Sequence, residues 1–270
     1  MARAVSAARR LPFLASSAAA LLACTLTDTS PPRGEPVVVP PSASLAPAAA
    51  RPISPLTVRI DTLSAASSGQ TGPGSFRYRV EVPQLEGPAF RGKAVDAAIR
   101  SRLQHDVDEF LDTARDGPSG PASSDLSCTS RTVRVTSRLA VLRVDCNEHR
   151  AGAARPNAFT HTFNCDLAAA RLLALQDLFR PGAVYLGVLS TAARKQLRAG
   201  VRSADERALE ADTAPVVDNF RAFLLDRGAL VIVFAKYRLT PDATGQPEVS
   251  ISYEDLQRYL APRVKDLLDG

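Results

Sequence analysis

The stretch Ser130-Arg-Thr-Val-Arg-Val-Thr-Ser-Arg-Leu-Ala-Val-Leu-Arg-Val-Asp-Cys146 decides the fold. Residues 130–136 and 139–146 are both rich in Val, Leu and Thr with polar residues interleaved, the signature of β-strands. Only Ser137 and Arg138 separate them, which leaves room for a tight turn and makes the pair an antiparallel hairpin. A third run of the same kind covers 158–167. Strands that follow one another through short connections, without a helix between each pair, belong to antiparallel sheets rather than to parallel α/β folds.

Outward from this hairpin the period changes. Across 93–115, Val95, Ile99, Leu103, Val107, Phe110, Leu111 and Ala114 recur at three- and four-residue steps, so an amphipathic helix is expected there. Gly117-Pro-Ser-Gly-Pro121 ends it. Before the helix, Leu56, Val58 and Ile60 alternate as a half-buried strand, and 76–82 reads as a second strand closed by Pro83. After the hairpin region, a helix over 184–198 buries Leu186, Leu189, Ala193 and Leu197. Ser203-x-x-Glu206 has the form of a capping box. Strands 220–225 and 230–237 meet at the turn Asp226-Arg227-Gly228, and the second, apolar on both faces, should be a central strand. Val249, Ile251 and Tyr253 form a last strand before a terminal helix carrying Leu256, Tyr259, Leu260, Val264 and Leu267. The expectation is an α+β fold: a largely antiparallel sheet with two or three amphipathic helices packed on one face.

The N-terminus has another character. Arg3, Arg9 and Arg10 precede an apolar run over 11–23, too short for the roughly 20 residues that span a bilayer. That is the layout of a secretory signal peptide. Its end, Leu21-Leu22-Ala23-Cys24, resembles the lipobox of bacterial lipoproteins, with Leu22 where a smaller residue is usual. The reading divides the chain into a signal peptide over 1–23, a Pro/Ala/Ser-rich spacer over 24–54 that begins at a lipidated Cys24, and one folded domain over 55–270. Export to the outer face of the cytoplasmic membrane or the periplasm, held by lipid, is expected.

The charge has to be taken on the processed chain. The whole sequence has 33 Lys+Arg against 28 Asp+Glu, a net of +5. Residues 1–23 hold three Arg and no acid, so 30 against 28 remain, a net of +2. A nearly neutral domain has no general attraction for phosphate backbones, so nucleic acid is not an expected partner.

After export, Cys128, Cys146 and Cys165 would lie in a compartment that permits disulfides. Folding the hairpin at Ser137-Arg138 sets position 128 across from 146 or 147, and cross-strand Cβ atoms come within about 4.5–5.5 Å. A Cys128–Cys146 disulfide is therefore expected, with Cys165 free. The alternative is zinc held by Cys146-x-x-His149 and His161-x-x-x-Cys165. Those are suitable ligand types, but a strand turns each successive side chain to the opposite face, so strand 139–146 would have to end by Asn147. No metal or other cofactor is the expectation. His105, beside Asp106 and Asp108, reads as a solvated helix face. The sequence carries no nucleophile elbow, phosphate loop or His-Glu metalloprotease pattern. Asp166 and Asp177 read as turn and cap residues.

The order of several short stretches over 76–260 resembles the RsiV-like domain family. These are Val80-Glu-Val-Pro-Gln-Leu-Glu-Gly87, Asn164-Cys-Asp-Leu167, Leu172-Leu-Ala-Leu-Gln-Asp-Leu-Phe179, and the series Asn219-Phe220, Asp226-Arg-Gly228, Val231-Ile-Val-Phe234, Tyr237, Pro241, Gly245 and Val249-Ser-Ile-Ser-Tyr253. The family takes in the ectodomain of the lysozyme-binding anti-sigma factor RsiV, the non-catalytic N-terminal part of the peptidoglycan deacetylase PdaC, and a secreted mycobacterial antigen. The resemblance implies binding rather than catalysis, with a protein or peptidoglycan ligand. Two positions depart from the pattern. Arg155, in Gly152-Ala-Ala-Arg-Pro-Asn157, stands where the family has His, and Cys165 stands where it has an apolar side chain. The sequence shows neither a sigma-binding segment before the apolar run nor a deacetylase domain, so anti-sigma signalling is not expected. The loops 151–157 and 240–246, with Arg155, Asn157 and Asp242, are the expected binding residues, because recognition concentrates on loops held by a rigid scaffold. A monomeric, non-catalytic binding lipoprotein is the expectation; an envelope hydrolase or a surface antigen without a specific ligand are the alternatives.

Overall fold

The computed structural model describes residues 56–67, 74–87, 90, 92–116, 123–200, 205–235 and 246–269. The segments expected to be signal peptide (1–23) and spacer (24–54), with Cys24, as well as Ser203 and most of loop 240–246 with Asp242, lie outside them. Among the described residues no helix is long and apolar enough to cross a membrane.

The fold is α+β, with two sheets. Six strands stand in sequence order: β1 (Thr57–Ala66), β2 (Phe76–Glu86), β3 (Ser124–Val135), β4 (Leu139–His149), β5 (Asn157–Asp166) and the two-residue β6 (Arg171–Leu172). Every pairing is antiparallel except β2 with β3, which is parallel. That pair is possible because helix α1 (Lys93–Arg115) carries the chain back between the two strands; parallel neighbours need such a crossover. The second sheet is β7 (Phe223–Leu225), β8 (Ala229–Val233) and β9 (Glu248–Ser252), with β8 in the centre as its two apolar faces require.

The key strand is β4. Ala140, Leu142, Val144 and Cys146 face α1, where they meet Val95, Ile99, Leu103, Val107 and Phe110 of the helix. On its other face Leu139 and Val141 join the core of the second sheet, which includes Leu225, Leu230, Ile232, Val249 and Leu189 of α2 (Tyr185–Gly200). Each such fully buried side chain is worth about 1.5–3 kcal/mol. Helices therefore do not all pack on one face of one sheet. Helix α1 covers one side of the large sheet, and α2 lies against β9.

Several boundaries differ from the sequence reading. Strand β2 is not closed by Pro83 but runs through it to Glu86, paired with β1, and β4 runs past Cys146 to His149. Strand β3 starts at Ser124, six residues early, where its pairing with β2 begins. The strand expected over 220–225 splits into a 3-10 turn at Val217–Phe220 and the short β7. The terminal helix is two pieces, α4 (Tyr253–Leu256) and α5 (Pro262–Leu268). Pro262 supplies no N–H and so fits only the first turn of a new helix. Finally, α3 (Glu206–Asp212) is capped by Asp205, whose carboxylate accepts the N–H groups of Arg207 and Ala208 at 2.9 and 3.2 Å.

Candidate functional site

Between α1 and β5 lies a groove of about 630 Å³. Sheet register explains what lines it. Glu148 pairs with Asn157, Cys146 with Phe159, Val144 with His161 and Leu142 with Phe163, all on the face turned to α1. Phe159, His161 and Phe163 therefore form a row of rings, with centroids 5.5 and 6.3 Å apart. Opposite them the helix presents Ala98, Arg102, Asp106 and Glu109, and Arg221 and Ala222 form a further wall.

Two carboxylates are fixed in this groove. Asp106, 7% exposed, binds His161 Nε2 through Oδ2 at 2.6 Å and Arg102 Nη2 through Oδ1 at 3.5 Å. Glu148, 5% exposed, takes Arg150 Nε at 2.6 Å and the amide of Asn157 at 3.3 Å. The cost of burying these charges is offset only because each is paired and hydrogen-bonded. Asp106 is not on the solvated helix face with His105; it sits one position round the helix, among the buried residues. The threonine hydroxyls of β5 are already engaged. Thr160 Oγ bonds Asp145 at 2.6 Å and also Gln246, while Thr162 Oγ accepts the N–H of Phe223 at 3.1 Å.

The expected binding residues are divided. Asn157 lines the groove. Arg155 is exposed on the adjoining loop and makes no ion pair among the described residues, and Asp242 lies outside them. Gly152, with φ +82, turns that loop in a conformation open to glycine. Cys128 and Cys146 face each other in register and are joined by a disulfide, with Cys146 next to Phe159 across the β4–β5 ladder, and Cys165 is a buried free thiol. Burial, helped by the negative charge of Asp96, pushes that thiol up to about 12. The four residues weighed for zinc are not brought together: β4 runs on to His149, which leaves it on the opposite face from Cys146. His161 is committed to Asp106. Among the described residues there is no group of three or more metal-ligating side chains.

Residues of the quoted family stretches do local work. Asp166 accepts the N–H of Ala169 at 2.9 Å in the β5–β6 turn. Asp177 accepts the N–H of Ala174 at 3.0 Å and pairs with Arg171 and Arg263 at 2.7 and 3.3 Å. Burial pushes its carboxyl up, but the bonds from Arg171 and Ala174 and the charges of Arg171 and Arg263 together hold it below the ordinary value of 3.8. A depressed folded pKa means that this group's stabilisation is full above 3.8 and is lost as pH falls through the lower folded value. Asp177→Asn should therefore cost most at neutral pH, and its stability deficit should shrink on acidification below 3.8 in chemical denaturation measured at several pH values. A deficit that stays constant down to pH about 2 would count against this pairing.

The family described as "Protein of unknown function (DUF3298)" matches residues 176–254, from the segment before α2 to the start of α4. A search of characterised proteins finds the peptidoglycan-N-acetylmuramic acid deacetylase PdaC of Bacillus subtilis, 24% identical over 196 residues. The match takes in 71% of this chain but only 40% of that protein's length. Among solved structures, a DUF3298 family protein of Pseudomonas aeruginosa aligns with a TM-score of 0.55 and 16% identity, covering 78% of this chain and 96% of its own. A DUF3298 family member of Bacteroides fragilis aligns with a TM-score of 0.54 and 20% identity, covering 80% and 98%. The resemblance read from the short stretches is thus borne out, and the fold is shared. The groove residues Asp106, Glu148 and His161 fall outside the matched segment 176–254.

Proposed function

We propose that the chain is an exported lipoprotein of the bacterial envelope, tethered through Cys24, whose domain binds a protein or peptidoglycan ligand in the α1–β5 groove without transforming it. The groove carries this reading. It is open, sits on two rigid elements, and combines a row of rings with fixed charged groups, the mix that ligand sites use for affinity and orientation. The Cys128–Cys146 bond beside it suits an oxidising compartment. Arg150 and Asn157, which flank the exposed Arg155 in the chain, line the groove, and a guanidinium on that loop would offer its donor fork to a carboxylate of the ligand.

The test is co-sedimentation of the full chain with purified peptidoglycan sacculi and, separately, capture on immobilised lysozyme. Binding to one of them is expected. Ala98→Trp, which fills the groove from an exposed helix position, should weaken it at least about tenfold, a loss of roughly 1.4 kcal/mol. Arg155→Ala should weaken it less, with the thermal midpoint almost unchanged, as exposed substitutions generally leave it. Undiminished binding by Ala98→Trp would remove the groove from the interface. Membrane association that persists after Cys24→Ala, with normal processing, would remove the anchor.

A further inference from the structure

We infer that the groove takes an extended peptide segment of a partner protein as an added β-strand along β5, with a basic side chain of that segment directed at the carboxylates of α1. The inference rests on the groove being the binding site.

The hydrogen-bond directions of β5 are the ground for it. Asn164 sends its carbonyl outward to the N–H of Leu173, while Leu167 bonds inward to Arg138 next to β4. Both amide groups of one residue in an antiparallel strand point the same way, and the direction alternates. Ala158, Thr160 and Thr162 therefore point their N–H and C=O groups away from β4. The strand on that side, β6, pairs only with Cys165 and Asp166. Among the described residues nothing bonds the main-chain groups of Ala158, Thr160 or Thr162. Among the described residues the next place in the sheet is thus filled for two residues and then vacant for a length of about 14 Å at 3.4 Å per residue. The groove runs along that vacancy, since residues 159–164 all line it.

Both edges of the second sheet are closed by side chains. Gln196 of α2 takes both the N–H and the C=O of Ser250 on β9, at 3.2 and 2.7 Å. Asn164 and Thr162 do the same for β7. An edge left unpaired inside a walled groove is a template for another strand, and strand addition is an established mode of peptide capture.

Charge selects the side chain. An added strand turns alternate side chains into the groove, where Asp106 and Glu109 of α1 and Glu148 of β4 line the wall. Glu109 has no ion pair among the described residues. Asp106 and Glu148 are 7% and 5% exposed, whereas their partners Arg102 and Arg150 are 52% and 44% exposed. The carboxylates are the fixed part of the wall and the arginines the part that can swing into solvent. A lysine or arginine of the incoming segment fits that wall, and a glutamate does not.

The probe is acetyl-Val-Lys-Val-Lys-Val-amide added to the full-length protein, read by amide hydrogen exchange and calorimetry. The amides of Ala158, Thr160 and Thr162 should exchange freely in the protein alone and gain at least about tenfold protection with peptide bound. Replacing both lysines by glutamate should weaken binding about tenfold or more. Methylating one alternate set of peptide amides should abolish it, and methylating the other set should leave it within about twofold, because only one set faces β5. Ala158→Pro removes an outward N–H at an edge position, where proline is tolerated, and should weaken binding with the fold intact. If neither the lysine nor the glutamate peptide protects these amides at millimolar concentration, or if both methylated sets bind alike, strand addition is wrong. Should sacculus or lysozyme binding still be lost in Ala98→Trp, the groove remains the site and its ligand is not a strand; if that variant binds normally, both ideas fall.

Discussion

Replacing Asn164 with Ala should destabilise the folded domain by about 3 kcal/mol, since each buried main-chain group left without a partner costs about 1–3 kcal/mol. Asn164 is 2% exposed and its amide works in both directions. Nδ2 donates to the carbonyl of Phe223 at 2.7 Å, and Oδ1 accepts the N–H of Leu225 at 2.9 Å. Those are main-chain groups of β7 that no strand covers, so this one side chain stands in for a strand and joins the two sheets. In a domain of this size the midpoint should fall by roughly 6–12 °C. Asn164→Asp is the sharper variant. It keeps the acceptor for Leu225 but sets a carboxylate against the Phe223 carbonyl, and should be at least as damaging. Thermal and urea unfolding, with exchange at Leu225, check this; a loss below about 0.5 kcal/mol with Leu225 still protected would show that another group closes the edge.

Removing the disulfide by a double Cys128→Ala and Cys146→Ala change should cost about 3 kcal/mol, the loop-closure value for the separation of 18 residues. The bond joins positions that the β3–β4 ladder already pairs, so its main effect is to restrain the unfolded chain. The two cysteines are 2% and 3% exposed, which should make them resistant to reductant until the domain unfolds. Peptide mapping without reductant should find 128 linked to 146, with Cys165 taking an alkylating reagent only after denaturation. Rapid native labelling of Cys165 would contradict both its burial and its raised pKa, because the thiolate is the reactive form. The disulfide also adjoins Phe159 across the β4–β5 ladder, so its loss should loosen the setting of that ring and weaken ligand binding beyond what the stability change explains.

Periodicity reached some parts of this architecture directly. The apolar spacing over 93–115 delimits α1 at its observed ends, because a helix face is fixed by residues three and four apart. Counting back from a two-residue turn brought Cys128 opposite 146 or 147, since turn length sets hairpin register, and a bulge between Thr132 and Arg134 shifts the ladder by one residue and settles it on Cys146. The central place of β8 followed from its apolar faces on both sides. Asp166 and Asp177 were legible as local caps because their partners are three residues away.

The groove was not legible in that way. Asp106 and His161 are 55 positions apart, and nothing local distinguishes Asp106 from Asp108 except which side of α1 each occupies. Counting the helix phase from Val95 and Ile99 was the available signal, as it puts Asp106 on the buried side with Leu103 and Val107. The loop reading found Asn157 but looked to Arg155 rather than to the strand that follows. The break at Pro262 was visible as a proline, yet apolar spacing carried the helix across it.

By itself the sequence determined the fold class, the long helix and the hairpin to within one residue of register, because each is settled by contacts among near neighbours or by a turn of known length; the bulge between Thr132 and Arg134 then set Cys128 on Cys146. Tertiary structure alone decided that β2 and β3 run parallel, that Asn164 closes β7, that two carboxylates are buried opposite a row of rings, and that β6 stops after two residues and leaves β5 open. Those outcomes depend on which elements meet across tens of residues. The pairing is set by the burial of both faces of β4, a non-local condition that no window of sequence contains.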